Sequence, residues 1–463
     1  MGRRVRVVVV NYNGGDYTLA CLRSVLASDW PADDLEVVLV DNDSSDGVAA
    51  AVKAGLDGDG LGGAGLGRDG RPGVSVIESG SNRGFAGGCN LALFDLSGVD
   101  YVALLNNDAT VEPGWLAPLV AAIESGPAVG AANPKILFTG TYIDLVLESS
   151  TAVRGLGDRR PLGVRLSGAR LDGVDAFQRV QLVDGFWGLE HGHDGEPVFQ
   201  WSNGAAHLRV PARPDGSLPD VELRLASDSH RTVVVRSDPE EAQLAVTPSP
   251  TWFDVPVAGV SFPVINNAGS VLLADGSGAD RGYQQRDGGQ FDQPGEVFAW
   301  CGAAVLLSLP YLRSVGIFDE KFFLYYEDFD LSWRGRAQGW RYLYVPESVV
   351  HHVHSASSVE GSRLFAHYVE RNRLLTLTRN APLGFAGRAA GRHLLITGSY
   401  ARRDIVSPLA HARRPTVETV RRRLQSLAAF FRLVPGALAD RRDLRRRRTV
   451  DDRQLLERWT STT

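Results

Sequence analysis

Three apolar runs in the first 110 residues each stop at a cluster of asparagine or aspartate, a pattern that few folds accommodate. Val5 to Val10 ends at Asn11-Tyr12-Asn13, Leu35 to Val40 at Asp41-Asn42-Asp43, and Tyr101 to Leu105 at Asn106-Asn107-Asp108. A fourth run covers Val74 to Glu78, and another strand is expected near Val129. Helical stretches fall between them, at Tyr17 to Ala27, Phe85 to Leu96 and Trp115 to Glu124. Strands that are apolar throughout, alternating with helices, predict a parallel sheet covered on both faces. Ligands of such sheets bind outside the carboxyl ends of the strands, so the three polar clusters are expected to face one crevice.

The periodicity divides the chain into four parts. Residues 1–138 carry the pattern just described. From Thr139 to Val264, within a part set at 139–265, short β-branched runs broken by Gly, Pro and Asp predict an inserted all-β sandwich, with strands at Leu162 to Leu166, Val180 to Val183, Val221 to Leu225, Thr232 to Val235 and Gln243 to Val246. Residues 266–360 resume the α/β character, with a buried strand from Val297 to Leu307, a helix from Asp328 to Gln338 and a strand from Arg341 that ends at Pro346. Residues 361–463 read as helical. Gly60 to Gly65 matches the dinucleotide fingerprint letter for letter, but no strand precedes it and no helix follows, so it is set aside.

The 463 residues are 44% hydrophobic and 22% charged, which excludes a disordered chain and suggests two or three domains. Cys21, Cys89 and Cys301 are an odd number without paired spacing, which argues against a disulfide framework or structural zinc and for a reducing cytoplasm. No apolar run is long enough for a signal peptide core or a membrane span. The net charge of −5 hides a division, because residues 361–463 hold 22 Arg against 8 acids while the remainder is acidic. An acidic body argues against nucleic-acid binding. The basic tail, above all Arg441 to Arg448 beyond the apolar stretch Leu424 to Leu438, suits either an anionic membrane surface or a set of solvated helix faces.

Acidic clusters at strand ends suit a nucleotide sugar, with one carboxylate for the base or ribose and another for a divalent cation on the diphosphate. Mg²⁺ or Mn²⁺ is commonly held by one or two carboxylates together with substrate phosphates, so Asp108 alone would serve. Asp41 to Gly47 is not a calcium loop, since Ser45 takes the fifth position and the glycine comes one place late. Glu327-Asp328 lies among Phe322, Phe323, Tyr325, Tyr326 and Trp333, an aromatic wall suited to a sugar or to a desolvated base. Trp187, Trp201 and Trp252, with His191 and His193, leave sugar binding open for the insert, although scaffold tryptophans are commoner.

Read in order, Val8 to Asn13, Val40 to Gly47, Asn82 to Asn90 and Leu104 to Ala109 resemble the motifs of a family 2 glycosyltransferase. The run Gly316 to Arg334 resembles the acceptor side of its rhamnosyltransferase-like branch. The resemblance covers roughly residues 5–138 and 266–380, and it implies a nucleotide-binding fold of the A type, an inverting mechanism and a divalent metal. It puts Asp41 on the donor nucleobase, Tyr12, Asn13 and Asn107 in the donor pocket, and Arg83 near the diphosphate or base. Asp108 matches the last acid of the family's D-x-D motif, whose first acid is here Asn106, and His352 matches a histidine that completes the metal site. Asp328 takes the part of the base, with Glu327 orienting the acceptor.

The resulting expectation is a cytoplasmic transferase, peripheral at the inner face of the plasma membrane. It would move a rhamnose-like or galactofuranose-like sugar from a dTDP or UDP donor to a cell-envelope glycan or a polyprenyl-diphosphate-linked saccharide, alone or as a homo-oligomer. The insert, lying outside all five motifs, would serve acceptor choice, docking or assembly. The competing class is an inactive sugar-nucleotide-binding relative that acts as an assembly partner. A nucleotidyltransferase is disfavoured, because Asn13-Gly14-Gly15-Asp16 supplies no phosphate-gripping cation.

Overall fold

The computed structural model describes residues 3–54, 73–153, 158–190, 198–353, 362–410 and 414–461. The glycine-rich stretch with Gly60 to Gly65, and His191 and His193, lie outside them. The chain forms two compact units, one of Met1–Leu137, Ile265–Tyr283 and Gly288–Thr463, the other of Phe138–Val264 with Gln284–Asp287.

Strands β1 (Val5–Asn11), β2 (Leu35–Asp41), β3 (Val74–Glu78) and β4 (Tyr101–Asn106) run parallel in the order β3-β2-β1-β4. Side chains alternate across a strand, and both sides of β1 are buried: Val5, Val7 and Val9 pack on one face, Val8 and Val10 on the other. Helices α1 (Asp16–Leu26), α2 (Val48–Ala54), α3 (Gly84–Leu93) and α4 (Leu116–Glu124) fill the connections. Beyond β4 the sheet becomes mixed, because Ala304–Ser308 pairs antiparallel with both β4 and β6 (Val129–Phe138), and β5 (Ala109–Val111) pairs with Arg341–His352. The apolar stretch from Val297 is therefore only partly a strand, since Gly302 turns away to meet an acid. Arg341–His352 runs through Pro346, which falls in the gap between its ladder with Gly295–Glu296, ending at Tyr344, and its ladder with β5, beginning at Val350.

The second unit is a sandwich of two sheets. Alternate residues Ile143, Leu145 and Leu147, Ala206, Leu208 and Val210, and Leu223 and Leu225 share one core. The long strand Gln200–Pro211 joins both sheets, pairing with Arg165–Leu171 at its start and with Tyr142–Ser149 along its end. Trp201 is fully buried, Trp187 donates to the Pro161 carbonyl, and Arg170 covers the ring of Trp252 at 4.1 Å.

Helices α5 (Leu309–Val315) and α6 (Glu327–Ala337) precede the helical tail, which comprises α7 (Arg363–Asn380), α8 (Leu383–Ala401), α9 (Ser407–Ala410), α10 (Glu418–Arg446) and α11 (Asp452–Trp459). Here the arginine cluster departs from expectation. Arg441 is buried and donates to the carbonyls of Thr378 and Arg379, while Arg448 donates to Asn380 and pairs with Asp452. These two arginines cap α7 and tie α11 down, so they are not part of a free basic face, whereas Arg442, Arg445, Arg446 and Arg447 are exposed.

Candidate active site

The donor end is built on polar side chains that tie strand ends together. Asn11, fully buried, donates through Nδ2 to Ser44 Oγ at 3.1 Å and to Asp46 Oδ2 at 3.1 Å, and its Oδ1 accepts from Thr18 and Gly14. Asn107 donates to Asn11 Oδ1 and Thr18 Oγ1, so it sits behind the crevice as a brace. A Cβ on Gly14 would meet that amide at 2.1 Å, which explains the glycine. Asn13 takes a left-handed φ of 55° and accepts from the Ser45 N–H, and Tyr12 is exposed beside it. Asp41 ends β2 with a buried Oδ1 that has no hydrogen-bond partner. Asn42 accepts from the Arg83 N–H and donates to the Gly84 carbonyl, which fixes the turn carrying Arg83, and the guanidinium of Arg83 stands 3.6 Å from Glu320.

At the end of β4, Asp108 Oδ1 lies 3.1 Å from His352 Nε2, and both residues are buried. His352 Nδ1 faces Asn266 Oδ1 at 3.0 Å, and a proton donated there frees the Nε2 lone pair for a cation shared with the carboxylate. Asn106, where the family's first acid often stands, approaches the same Nε2 at 3.3 Å. A second-shell oxygen on the far nitrogen is the usual setting of a metal-bound histidine. Neighbouring corners of an octahedron with bonds of about 2.1 Å stand about 3 Å apart, so the spacing fits Mg²⁺ or Mn²⁺. Among the described residues no group of three or more His, Cys, Asp or Glu gathers to hold a metal, which leaves the other corners to substrate oxygens and water.

The acid pair opens α6. Asp328 accepts from the Gly302 N–H at 2.8 Å and from the Phe329 N–H at 2.7 Å. Ala303, next to Gly302, accepts from the Asn106 N–H at 2.9 Å, so the Asp328 and Asp108 clusters flank one strand start. Burial pushes the Asp328 carboxyl up to about 6, against the pull of those two N–H groups and with help from the charge of Asp280. Burial, and then the Asp328 charge, raises Glu327 well above the carboxylate range, and its buried Oε2 has no hydrogen-bond partner. Asp330 has a different part: fully buried, it binds Arg334, Arg379 and Asn380.

Sequence reasoning missed the side chains that hold these groups. Asn267 donates to Asp280 at 2.6 Å, and Asn133 accepts from the Cys301 N–H. Fully buried Asn372 of α7 donates to the carbonyls of Phe322 at 2.9 Å, Leu324 at 2.9 Å and Tyr325 at 2.7 Å. That clamp holds a loop in which Phe323, Tyr325 and Tyr326 all have positive φ, at 64°, 66° and 70°. Such backbone costs about 1–3 kcal/mol per residue and needs external support. The doublet Asn266-Asn267 just after an apolar run was the one visible signal.

Residues 6–149 match the family described as glycosyl transferase family 2. They belong to it. The matched segment includes Tyr12, Asn13, Asp41, Arg83, Asn107 and Asp108, whereas Glu327, Asp328 and His352 lie beyond it. Over 69 residues, 14% of this chain, it is 41% identical to an N-acetylglucosaminyl-diphospho-decaprenol L-rhamnosyltransferase of Mycobacterium tuberculosis, found in two strains. The matched residues span 22% of that relative's length. Solved structures similar to this chain include GalNAc-T7 with UDP, GalNAc and Mn²⁺, at a TM-score of 0.43 and 14% identity, covering 81% of this chain and 48% of that one. The mannosyltransferase PcManGT of Pyrobaculum calidifontis, with GDP-Man and Mn²⁺, aligns at a TM-score of 0.39 and 15% identity over 96% of this chain and 86% of its own.

Proposed function

We propose that this chain is an inverting glycosyltransferase that moves a sugar, rhamnose-like or galactofuranose-like, from a dTDP or UDP donor to a hydroxyl of a cell-envelope glycan or lipid-linked saccharide. The observation that carries this reading is the placing of Asp328 and the Asp108–His352 pair on either side of the segment from Gly302 to Ala303. Asp41, Tyr12 and Asn13 would receive the nucleoside, and Arg83 the diphosphate. Asp108 and His352 would hold a divalent cation, which when bound supplies positive charge to the departing diphosphate. Asp328 takes the proton of the acceptor hydroxyl as that oxygen bonds to the anomeric carbon. The bond from that carbon to the diphosphate oxygen breaks, and its electron pair leaves with the nucleotide. Glu327, whose burial favours the protonated form, donates to an acceptor oxygen and orients it.

The rhamnosyltransferase relative is named for a decaprenol-diphosphate-linked sugar, which supports a lipid-linked acceptor here and a peripheral position at the inner face of the plasma membrane. No described helix is long and apolar enough to cross a membrane. Asn106, in place of a first acid, favours the second reading of a catalytically weak sugar-nucleotide-binding relative. Calorimetry with a panel of dTDP and UDP sugars, followed by a turnover assay with the donor that binds, separates the two: binding with no turnover selects the second, and no binding at all removes both.

A further inference from the structure

Helix α10 is amphipathic, with two apolar faces. One edge, with Val420, Leu427, Phe430 and Ala437, is buried within the helical tail. On the outward edge, Val417, just before the helix, and Leu424, Phe431 and Leu438 within it recur at seven-residue steps and are 50%, 50%, 54% and 37% exposed. A seven-residue step drifts only about 20° around a helix, so these side chains form one line about 30 Å long. Arg421, Arg432 and Arg442 are exposed among them. The two acids of the stretch are engaged elsewhere: Glu418 pairs with Arg363, and Asp440 with Lys321 and Arg379. Beside α10, held through Arg423 to Thr397, α8 also turns Leu394 and Leu395 outward at 46% and 77% exposure.

A second copy of the chain is a poor occupant for this face. A two-fold contact brings a patch against itself, which here sets arginine against arginine, with the exposed Asp443 only at the far end of the line. An anionic bilayer supplies both complements at once, acyl chains for Leu424 and Phe431 and phosphates for the guanidinium groups. We infer that the outward face of α10 lies on an anionic lipid surface, a docking site that rests on the peripheral location proposed above and centres it on Leu424 and Phe431, with Arg442 as its one member from the cluster Arg441 to Arg448.

The test uses the full chain and sedimentation with phosphatidylglycerol or phosphatidylcholine vesicles. The protein should bind the anionic vesicles at low salt, lose them at high salt and ignore the zwitterionic ones. Leu424→Glu with Phe431→Glu should weaken binding at least about tenfold, and Arg421→Gln with Arg432→Gln and Arg442→Gln should remove its salt-sensitive part. Arg446→Gln with Arg447→Gln should leave most of it. Wild-type protein that stays in the supernatant at low salt, or a Leu424→Glu/Phe431→Glu variant that binds as well as wild type, overturns the inference. So does a concentration-dependent dimer in ultracentrifugation that the same variant dissociates. Donor binding measured on each soluble variant reads the transferase proposal separately, since these positions lie outside the residues assigned to it.

Discussion

His352 Nδ1 meets Asn266 Oδ1 at 3.0 Å, and this contact aims the other imidazole nitrogen at Asp108. Asn266 follows Ile265 on a short strand paired to β6, and its neighbour Asn267 points the other way, to Asp280 near Asp328. Two adjacent asparagines therefore serve both halves of the site. Asn266→Ala should lower Mn²⁺ affinity roughly 10–100-fold while the fold melts near the wild-type temperature. Titration of Mn²⁺ into donor-loaded protein checks this, and unchanged affinity would remove Asn266 from the site.

Chelation by EDTA should abolish transfer and re-addition of Mg²⁺ or Mn²⁺ should restore it. Asp108→Ala should mimic chelation, and His352→Ala should do so more weakly, because the carboxylate carries the charge that opposes the cation. Full activity in EDTA would mean that Asp108 and His352 work without a metal.

Asp328→Asn should cost about 10²–10⁴ in turnover and leave donor affinity within a few-fold. Its effect on stability has the opposite sign. The folded-state pKa of Asp328 is raised above its unfolded value, so the ionised carboxylate opposes folding at neutral pH and its contribution improves as pH falls through about 6. The neutral amide should therefore melt no lower than wild type at pH 7.5, as thermal unfolding would reveal.

The same shift predicts the acid limb of the pH–rate profile. A base must be ionised to accept a proton, so turnover should rise with pH through an apparent value near 6 rather than near 4. Asp280→Asn should move that limb to lower pH by removing a neighbouring charge that helps to raise Asp328. A limb that stays in place would mean that the two carboxyls titrate independently.

Asn372→Ala should leave the carbonyls of Leu324 and Tyr325 without their amide donor, at a cost of roughly 1–3 kcal/mol for each group left buried and unpaired, while the Phe322 carbonyl keeps Arg371 and the Leu324 N–H. Turnover should fall much more than donor affinity, because the released loop leads directly into Glu327. Comparison of melting temperature, donor binding and rate in the one variant checks all three.

What could be read from the sequence follows the range of the interactions. Val5 to Val10 and Leu35 to Val40 announce buried parallel strands because a residue's burial there depends on its own strand, and Asn11, Asp41 and Asp108 are placed by the strand ends that precede them. The groups that orient the site act over long separations: Asn266 reaches His352 across 86 positions and Asn372 reaches Phe322 across 50. In sequence, each such asparagine has the appearance of an ordinary turn or helix residue. Arg441 and Arg448 misled for the same reason, since a charge run gives no sign that particular members bind carbonyls near the end of a helix sixty to seventy residues earlier.

The clamp by Asn372 also sets the smallest working version of this molecule. The acids stand at Glu327 and Asp328, and every sequence motif ends by Arg334, so a catalytic core trimmed at residue 360 would look complete on paper. It would leave the carbonyls of Leu324 and Tyr325 without the Asn372 amide, in a loop with three left-handed residues, and Asp330 without Arg379 or Asn380. Any chimera that exchanges the acceptor loop must therefore bring its own α7, and the two segments are inherited, swapped or lost as a unit.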